Sequence, residues 1–410
     1  MSAVTSIDIG RWPDVAVTPA AGGARLRAAR TAVGYAARVA GVRVVTADGA
    51  LGAAPGAPVL EVRRAREFFA RIGRDGMIGF GEGFMSGAWT APDLTGVLTA
   101  FAGRLTGLVP PPLQRLRRLT QPSMPAAEFA DRAGARRNVS RHYDLSNELF
   151  ALFLDPSMTY SSALFGPGDD LERAQLRKID AVLDAAAVRP GARVLEIGTG
   201  WGALAVRAAT ERGAHVTTVT LSEEQAALAR SRVQTAGVTD RVDVQVRDYR
   251  DVEGRYDAVV SVEMIEAVGE RHWPQYFATL GRALAPGGRI GLQAITMPHE
   301  HLVATRHSWT WIHKYVFPGG LIPSERAIRE HAWRDGGLSV LHRRSFGAHY
   351  AETLRQWRER FLAGADAVGA LGFDPVFRRM WEFYLAYCEA GFRTGRLDVE
   401  QYTLGTGGVR

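Results

Sequence analysis

The chain has 410 residues, 46% hydrophobic and 23% charged, which suits two ordinary cores and excludes a disordered protein. No run of 18 apolar residues occurs, and the opening MSAVTSIDIGRWPD has neither a basic nor an apolar leader region, so a cytoplasmic protein without a spanning helix is expected. The net charge of +7 is uneven: residues 1–140 carry 18 Arg, no Lys and 10 acidic side chains, which points to an anionic surface as partner.

In chain order, Val42–Thr46 with Gly49 reads as a strand and turn, and Val59–Val62 as a second strand. Arg63–Arg71 reads as a helix carrying Phe68 and Phe69, whereas Ile78–Trp89 is too rich in glycine for a regular element. A small α+β domain is the expectation. From Leu94 to Leu119 the pattern is amphipathic, with Leu98, Phe101, Leu105 and Leu108 at helical spacing. Leu113, Leu116 and Leu119 then alternate with Arg115, Arg117 and Arg118, which suits anionic headgroups, or equally a solvated helix between domains. Pro122, Pro125 and Gly134 mark a linker. The division expected is a small basic N-terminal domain at 1–120 that recruits lipid, a linker at 121–140, and a catalytic domain at 141–410.

Arg141–Phe150 and Leu154–Ser162 are dense in polar and aromatic residues and precede the sheet, so they are expected to close over it as a lid. Leu171–Ala187 reads as an amphipathic helix. Arg193–Gly202, RVLEIGTGWG, is the centre of the pattern: a buried strand with Glu196 near its end, then Gly198, Gly200 and Gly202, then a helix. A dinucleotide site would place an acid at the tip of the second strand, but His215–Thr220 ends in Thr220-Leu221-Ser222, with Gln225 one turn later. The third strand, Val242–Arg247, ends in Asp248-Tyr249, and the fourth, Tyr256–Val262, in Glu263 and Glu266. An acid and an aromatic at the third tip suit adenine, and the set fits S-adenosylmethionine better than a nicotinamide dinucleotide. Gly288–Ile295 is the expected fifth strand, and Leu341–Tyr350 and Leu397–Leu404 the last two. Thr296–Pro323 between them holds Trp309, Trp311, Tyr315 and Phe317, which suit either an apolar pocket or a packed core. The single Cys388 lies in a helical apolar stretch and excludes an internal disulfide; no metal site is expected.

Taken together, HYDLSNELF, LDPSMTYSS, VLEIGTGWG, VTLSEEQ, RDYRD, SVEMIEAVG, WIHKYVFPGG and SFGAHY resemble the cyclopropane-fatty-acid synthase family of S-adenosylmethionine-dependent lipid methyltransferases. The resemblance runs from GFGEGFMSGAW, near residue 79, to the C-terminus. It implies a seven-stranded class I (Rossmann-like) methyltransferase domain with helical insertions covering the lipid, preceded by a smaller α+β domain. It assigns the cofactor to Tyr160, Ser161, Gly198, Gly200, Thr220, Gln225, Asp248 and Tyr249, and Glu196 at the end of the central strand is a further candidate for cofactor binding. Glu266, Tyr350 and the backbone of Ile295 match groups that hold a bicarbonate ion, the family's usual base.

Ser162 stands where a cysteine is usual, Ala267 where a histidine follows the glutamate, and Gln293 where another histidine adjoins the ion. These changes put bicarbonate in doubt. SVEMIEAVG and QAITMP look like the branch that makes 10-methylene and 10-methyl (tuberculostearic-type) chains. The expected reaction is methyl transfer to the cis double bond of an oleoyl-type phospholipid, a carbocation, and proton loss to a carboxylate: Glu266 first, or Glu148 or Glu263. The alternatives are a bicarbonate-using cyclopropane synthase and a basic RNA-binding protein or RNA methyltransferase. The partners implied are an unsaturated phospholipid at the inner membrane face, a separate flavin or nicotinamide reductase for the methylene product, and a second copy of the chain; no nucleic acid is expected.

Overall fold

The computed structural model describes residues 7–104 and 146–407. The basic segment with Arg115, Arg117 and Arg118, the linker 121–140 and residues 141–145 lie outside the described residues. The described chain divides into two compact units, one from residues 7–104, 308–316 and 357–396, the other from 146–307, 317–356 and 397–407.

In the first unit β1 (Arg43–Thr46) pairs antiparallel with β2 (Gly49–Gly52) and parallel with β3 (Val59–Val62), which pairs antiparallel with β4 (Trp89–Thr90). The glycine-rich stretch expected to be irregular is instead a helix, Met77–Met85, buried from Ile78 onward. Low propensity is overridden there by close packing. A Cβ at Gly79 would meet the Arg71 carbonyl oxygen at 2.1 Å, and one at Gly81 the Trp311 ring at 2.4 Å. Trp311 also packs its ring 4.7 Å from Phe383, on the helix Pro375–Arg393. Trp311 is thus a core residue of this unit, and half-buried Tyr315 packs its ring 5.6 Å from it. Glu82, fully buried, accepts hydrogen bonds from Lys314 Nζ (2.6 Å) and Tyr315 OH (2.9 Å).

The second unit is built on β5 (Arg193–Ile197), β6 (His215–Thr220), β7 (Val242–Val246), β8 (Tyr256–Val262), β9 (Leu284–Thr296), β10 (Ser339–Ser345) and β11 (Asp398–Gly405). Their order is β10-β11-β9-β8-β5-β6-β7; β11 runs antiparallel to both neighbours and the other pairs are parallel. Both faces are covered, which explains the near-continuous apolar runs of the central strands. Leu195, Val259 and Ile290 join Trp273, Phe277 and Ile328 in one core, while Val194, Val216 and Val260 join Ile179, Val182 and Ala205 in the other. The crevice beyond the strand ends, on either side of β5, is where such sheets bind ligands.

The strand expected at Leu341–Tyr350 stops at Ser345, and a helix runs from Gly347 to Ala363. Asp398 turns the chain by accepting from Ser345 Oγ (2.5 Å) and the Gly347 N–H (2.8 Å). Buried Phe346, Tyr350, Leu354, Trp357 and Phe361 then recur every three or four residues, the helical period. Tyr350 therefore points from a helix. Among the described residues no helix is long and apolar enough to cross a membrane.

Candidate active site

The turn after β5 is held by the Gly198 and Thr199 N–H groups, which donate to the Val219 carbonyl at 3.0 and 3.2 Å. Gly198 and Gly200 adopt φ +98° and +52°, conformations that side chains disfavour. The two differ in surroundings. A Cβ at Gly198 would strike Met264 Cγ at 2.6 Å, whereas one at Gly200 meets no protein atom within 4 Å and projects into open space. Gly200 thus leaves room for a ligand rather than for a neighbouring side chain.

Outside the lid, the other residues expected at the cofactor lie on or just after β5, β6 and β7. Glu196 accepts from Thr218 Oγ1 at 2.6 Å, and burial pushes its carboxyl up to about 8. Thr220 Oγ1 donates to Gln225 Oε1 at 2.9 Å, and Ser222 caps the helix Glu223–Thr235 by accepting from the Gln225 N–H. Asp248 is clamped by Arg250, with Nε at 2.8 Å and Nη2 at 2.5 Å. Tyr249 is buried, and desolvation pushes its hydroxyl up to about 12. Residues 146–165 close over the same edge: Trp201 Nε1 donates to Asn147 Oδ1 at 2.7 Å, and the Phe150 ring lies 4.9 Å from Trp201 and 5.1 Å from Tyr160.

Beyond β8 lies a cluster of carboxylates. Glu263 is one of only three non-glycine residues with positive φ among those described, at +52°. Such a conformation costs about 1–3 kcal/mol and persists where the surroundings over-determine it. Here the Glu263 N–H donates to the Gln293 carbonyl at 2.8 Å, while the carboxylate receives three hydrogen bonds. Oε1 accepts from the Ser162 N–H (2.9 Å) and Gln293 Nε2 (2.8 Å), and Oε2 from Tyr350 OH (2.9 Å). Burial raises the Glu263 carboxyl above its ordinary value, opposed by the field of Lys178 and by those three donors. Glu266 accepts from the Ile295 N–H through Oε1, and its Oε2 is buried without a hydrogen-bond partner. Desolvation, and then the charge of Glu263, push Glu266 up to about 8. Glu266 therefore favours its neutral form at pH 7, whereas Glu263, raised by burial, has a cation and three donors that favour its charged form.

The structure thus brings Ser162, Glu263, Glu266, Gln293, Ile295 and Tyr350 together. Glu148 stands apart: it is exposed on the helix Asn147–Ala151, and its own N–H and Ser146 hold its carboxyl below the ordinary value. Two members of the cluster escaped the sequence reading. Gln401 Nε2 donates to Gln293 Oε1 at 3.0 Å, and Lys178 Nζ donates to Ser161 Oγ at 2.5 Å. Lys178 carried a signal: it is one of two lysines in the chain and sits in phase with Leu171, Ala174 and Val182 on the buried side of its helix.

The model of the mycolic acid cyclopropane synthetase family matches residues 130–402. The chain belongs to the cyclopropane synthase family. It is a class I, S-adenosylmethionine-dependent methyltransferase, and the open cradle at Gly200 fits that cofactor. It is 52% identical to the tuberculostearic acid methyltransferase UfaA1 of Mycobacterium tuberculosis, over 97% of this chain and 96% of that protein. It is 34% identical to the cyclopropane-fatty-acyl-phospholipid synthase of Escherichia coli, over 83% of this chain and 86% of that one. Among solved structures, the cyclopropane synthase MmaA2 from Mycobacterium tuberculosis superposes with a TM-score of 0.61 at 33% identity, covering 66% of this chain and 97% of that one. The mycolic acid cyclopropane synthase CmaA1 complexed with SAH and CTAB gives 0.61 at 32% identity, with the same coverage.

Proposed function

We infer that this enzyme methylates the cis double bond of an oleoyl-type phospholipid acyl chain and, with its own carboxylate as base, releases a 10-methylene chain. The names of two relatives, a tuberculostearic acid methyltransferase and a cyclopropane-fatty-acyl-phospholipid synthase, support the substrate class. They leave the reading of a basic RNA-binding protein or RNA methyltransferase without support. Bound S-adenosylmethionine supplies an electrophilic methyl group. An isolated alkene is a poor nucleophile, so the protein must hold it close and exclude water. In this reading the lid residues Tyr160 and Ser161 and the turn at Gly198 and Gly200 hold the cofactor, with Glu196, Thr220, Gln225, Asp248 and Tyr249 along its length.

Methyl transfer leaves a cation on the neighbouring alkene carbon. A hydride shift moves that cation to the methylated carbon, and loss of a proton from the new methyl gives the methylene. The observation that carries the choice of base is the Glu263 carboxylate, which takes the hydrogen bonds of the Ser162 N–H, Gln293 and Tyr350. Those are positions the family resemblance gives to the surroundings of bicarbonate, so a side chain stands in for the ion. Glu263, held by those three donors beside a neutral Glu266, is the acceptor of the proton. The methylene product requires two electrons and two protons, a hydride and a proton, to become a methyl branch, and a separate flavin- or nicotinamide-dependent reductase supplies the hydride. The basic N-terminal part recruits the enzyme to the inner membrane face.

Expressing the chain with oleoyl phospholipid, followed by derivatisation and mass spectrometry, should reveal a 10-methylene chain; a cyclopropane of the same mass would overturn the reading. In carbonate-free assays activity should persist. Glu263→Gln should lower turnover by on the order of 10²–10⁴, and Glu266→Gln by less. Activity that vanishes without bicarbonate and returns with it would make the enzyme a bicarbonate-using cyclopropane synthase.

A further inference from the structure

Lys178 is a buried cation that the methyl-transfer reading leaves without a task. It lies on the helix Leu171–Ala185 and is 1% exposed. Among the described residues no carboxylate comes within ion-pair distance of its Nζ, which spends its hydrogen bond on Ser161 Oγ at 2.5 Å. A lysine buried without a paired anion is costly, so its burial calls for a reason.

The hydrogen bonds around it supply one. Ser161 is followed by Ser162, whose N–H donates to Glu263 Oε1 at 2.9 Å. Glu263 also receives Gln293 Nε2; Gln293 Oε1 receives Gln401 Nε2, which lies 3.4 Å from the Lys178 carbonyl oxygen. The circuit closes on Lys178 at both its head and its backbone. Gln175, one turn earlier, donates to the Ser161 carbonyl at 2.9 Å, so the same helix grips this strip of chain twice.

We propose that Lys178 is a positioning residue for the proton-abstraction step, pinning Ser161 and Ser162 against Glu263 and serving as the buried counter-cation that keeps the Glu263 carboxylate ionised. This rests on the reading of Glu263 as the base. The groups facing Lys178 are Glu263, Glu196 and Asp155; those facing Glu263 are Lys178, Glu266 and Tyr350. Burial lowers Lys178 to about 8 while these anions oppose the fall, and the same field favours the charged form of Glu263. Glu196 and Glu266, both near 8, favour the neutral form at pH 7, which leaves Glu263 and Asp155 as the carboxylates facing the buried cation.

The test is the pH profile of kcat/KM for Lys178→Gln, which keeps a donor for Ser161 but removes the charge. Losing the cation makes ionised Glu263 less favourable, so its pKa rises and the acid limb moves to higher pH. A shift of about one pH unit is expected, with a loss that approaches tenfold on the acid side of the limb and disappears on its alkaline side. Lys178→Arg, which keeps the charge, should leave the limb in place. Lys178→Met is the second charge-free variant, and either one that melts cooperatively and binds S-adenosylmethionine decides the matter. A limb that stays where it was, or a loss equal at every pH, means that Lys178 only packs and overturns the proposal. Glu263→Gln run alongside separates the two ideas: if it retains full activity, the reading of Glu263 as base fails. If it is inactive and the Lys178→Gln limb is unmoved, only the role of Lys178 fails.

Discussion

At the level of single residues, the site divides into side chains that chemistry announces and side chains that only packing reveals. Carboxylates after a buried strand are visible in sequence, and so Glu263 and Glu266 were candidates from the start. What sequence does not carry is the left-handed backbone at Glu263, which turns its carboxylate to Ser162, Gln293 and Tyr350. Lys178 was missed for a physical reason. A lysine inside an amphipathic pattern usually carries its charge out to water along its stem, and periodicity cannot tell that from full burial. Gly200 yields a sharp test. Because an added Cβ there meets no protein atom within 4 Å, Gly200→Val should fold, at a cost of about 1–2 kcal/mol for its φ of +52°. The side chain would fill the cofactor's space, so calorimetry should show S-adenosylmethionine affinity reduced at least tenfold. Unchanged affinity in the folded variant would mean that this turn does not carry the methionine part.

At the level of elements, legibility follows burial and bounding turns. His215–Thr220 and Tyr256–Val262 are strands over the very residues expected, because a parallel strand covered on both faces reads as an apolar run ended by turn-formers. Two of the failures, Met77–Met85 and Leu341–Tyr350, occur where local preference and tertiary packing disagree. Three glycines argue against a helix at 77–85, yet their missing side chains let the helix approach Arg71, Trp311 and Trp89. Gly79→Ala raises helix propensity and should nonetheless destabilise, since its Cβ would sit 2.1 Å from a backbone oxygen. A fall in melting temperature of several degrees, from about 1–3 kcal/mol of overpacking, is expected. Gly34→Ala is the contrasting case: within the helix Gly23–Ala40 its nearest neighbour would be Leu51 Cβ at 4.0 Å. There the gain in propensity is unopposed, and the melting temperature should rise slightly. Equal effects at the two positions would refute the close-approach account.

For the whole molecule, the order of the chain conceals how it is assembled. Residues 308–316 and 357–396 join the first compact unit although they follow the central sheet strands in sequence, and nothing in their composition marks the return. Their aromatics read as a lipid pocket or a core because apolar rings serve both ends equally well; Trp311 and Phe383 serve the core. Charge, by contrast, is legible from composition alone, and it bears on how a fatty acid methyltransferase meets its substrate. Residues 1–140 carry 18 Arg against 10 acids, while the whole chain has a net charge of only +7, so the excess belongs to the N-terminal part. Arg115, Arg117 and Arg118, beyond the described residues, alternate with leucines in the pattern that suits an anionic headgroup layer. A cationic side chain near such a surface contributes about 1 kcal/mol. Changing all three to Gln should therefore weaken binding to anionic phospholipid vesicles by on the order of 10²-fold at low salt. The difference from wild type should shrink as salt rises, because exposed charges are screened beyond about 10 Å at 0.1 M. Turnover of a detergent-dispersed substrate should be nearly unaffected, since the chemistry is assigned to the second unit. Vesicle affinity that is unaltered at every salt concentration would leave the segment as a connector and move the recruiting surface elsewhere on the protein.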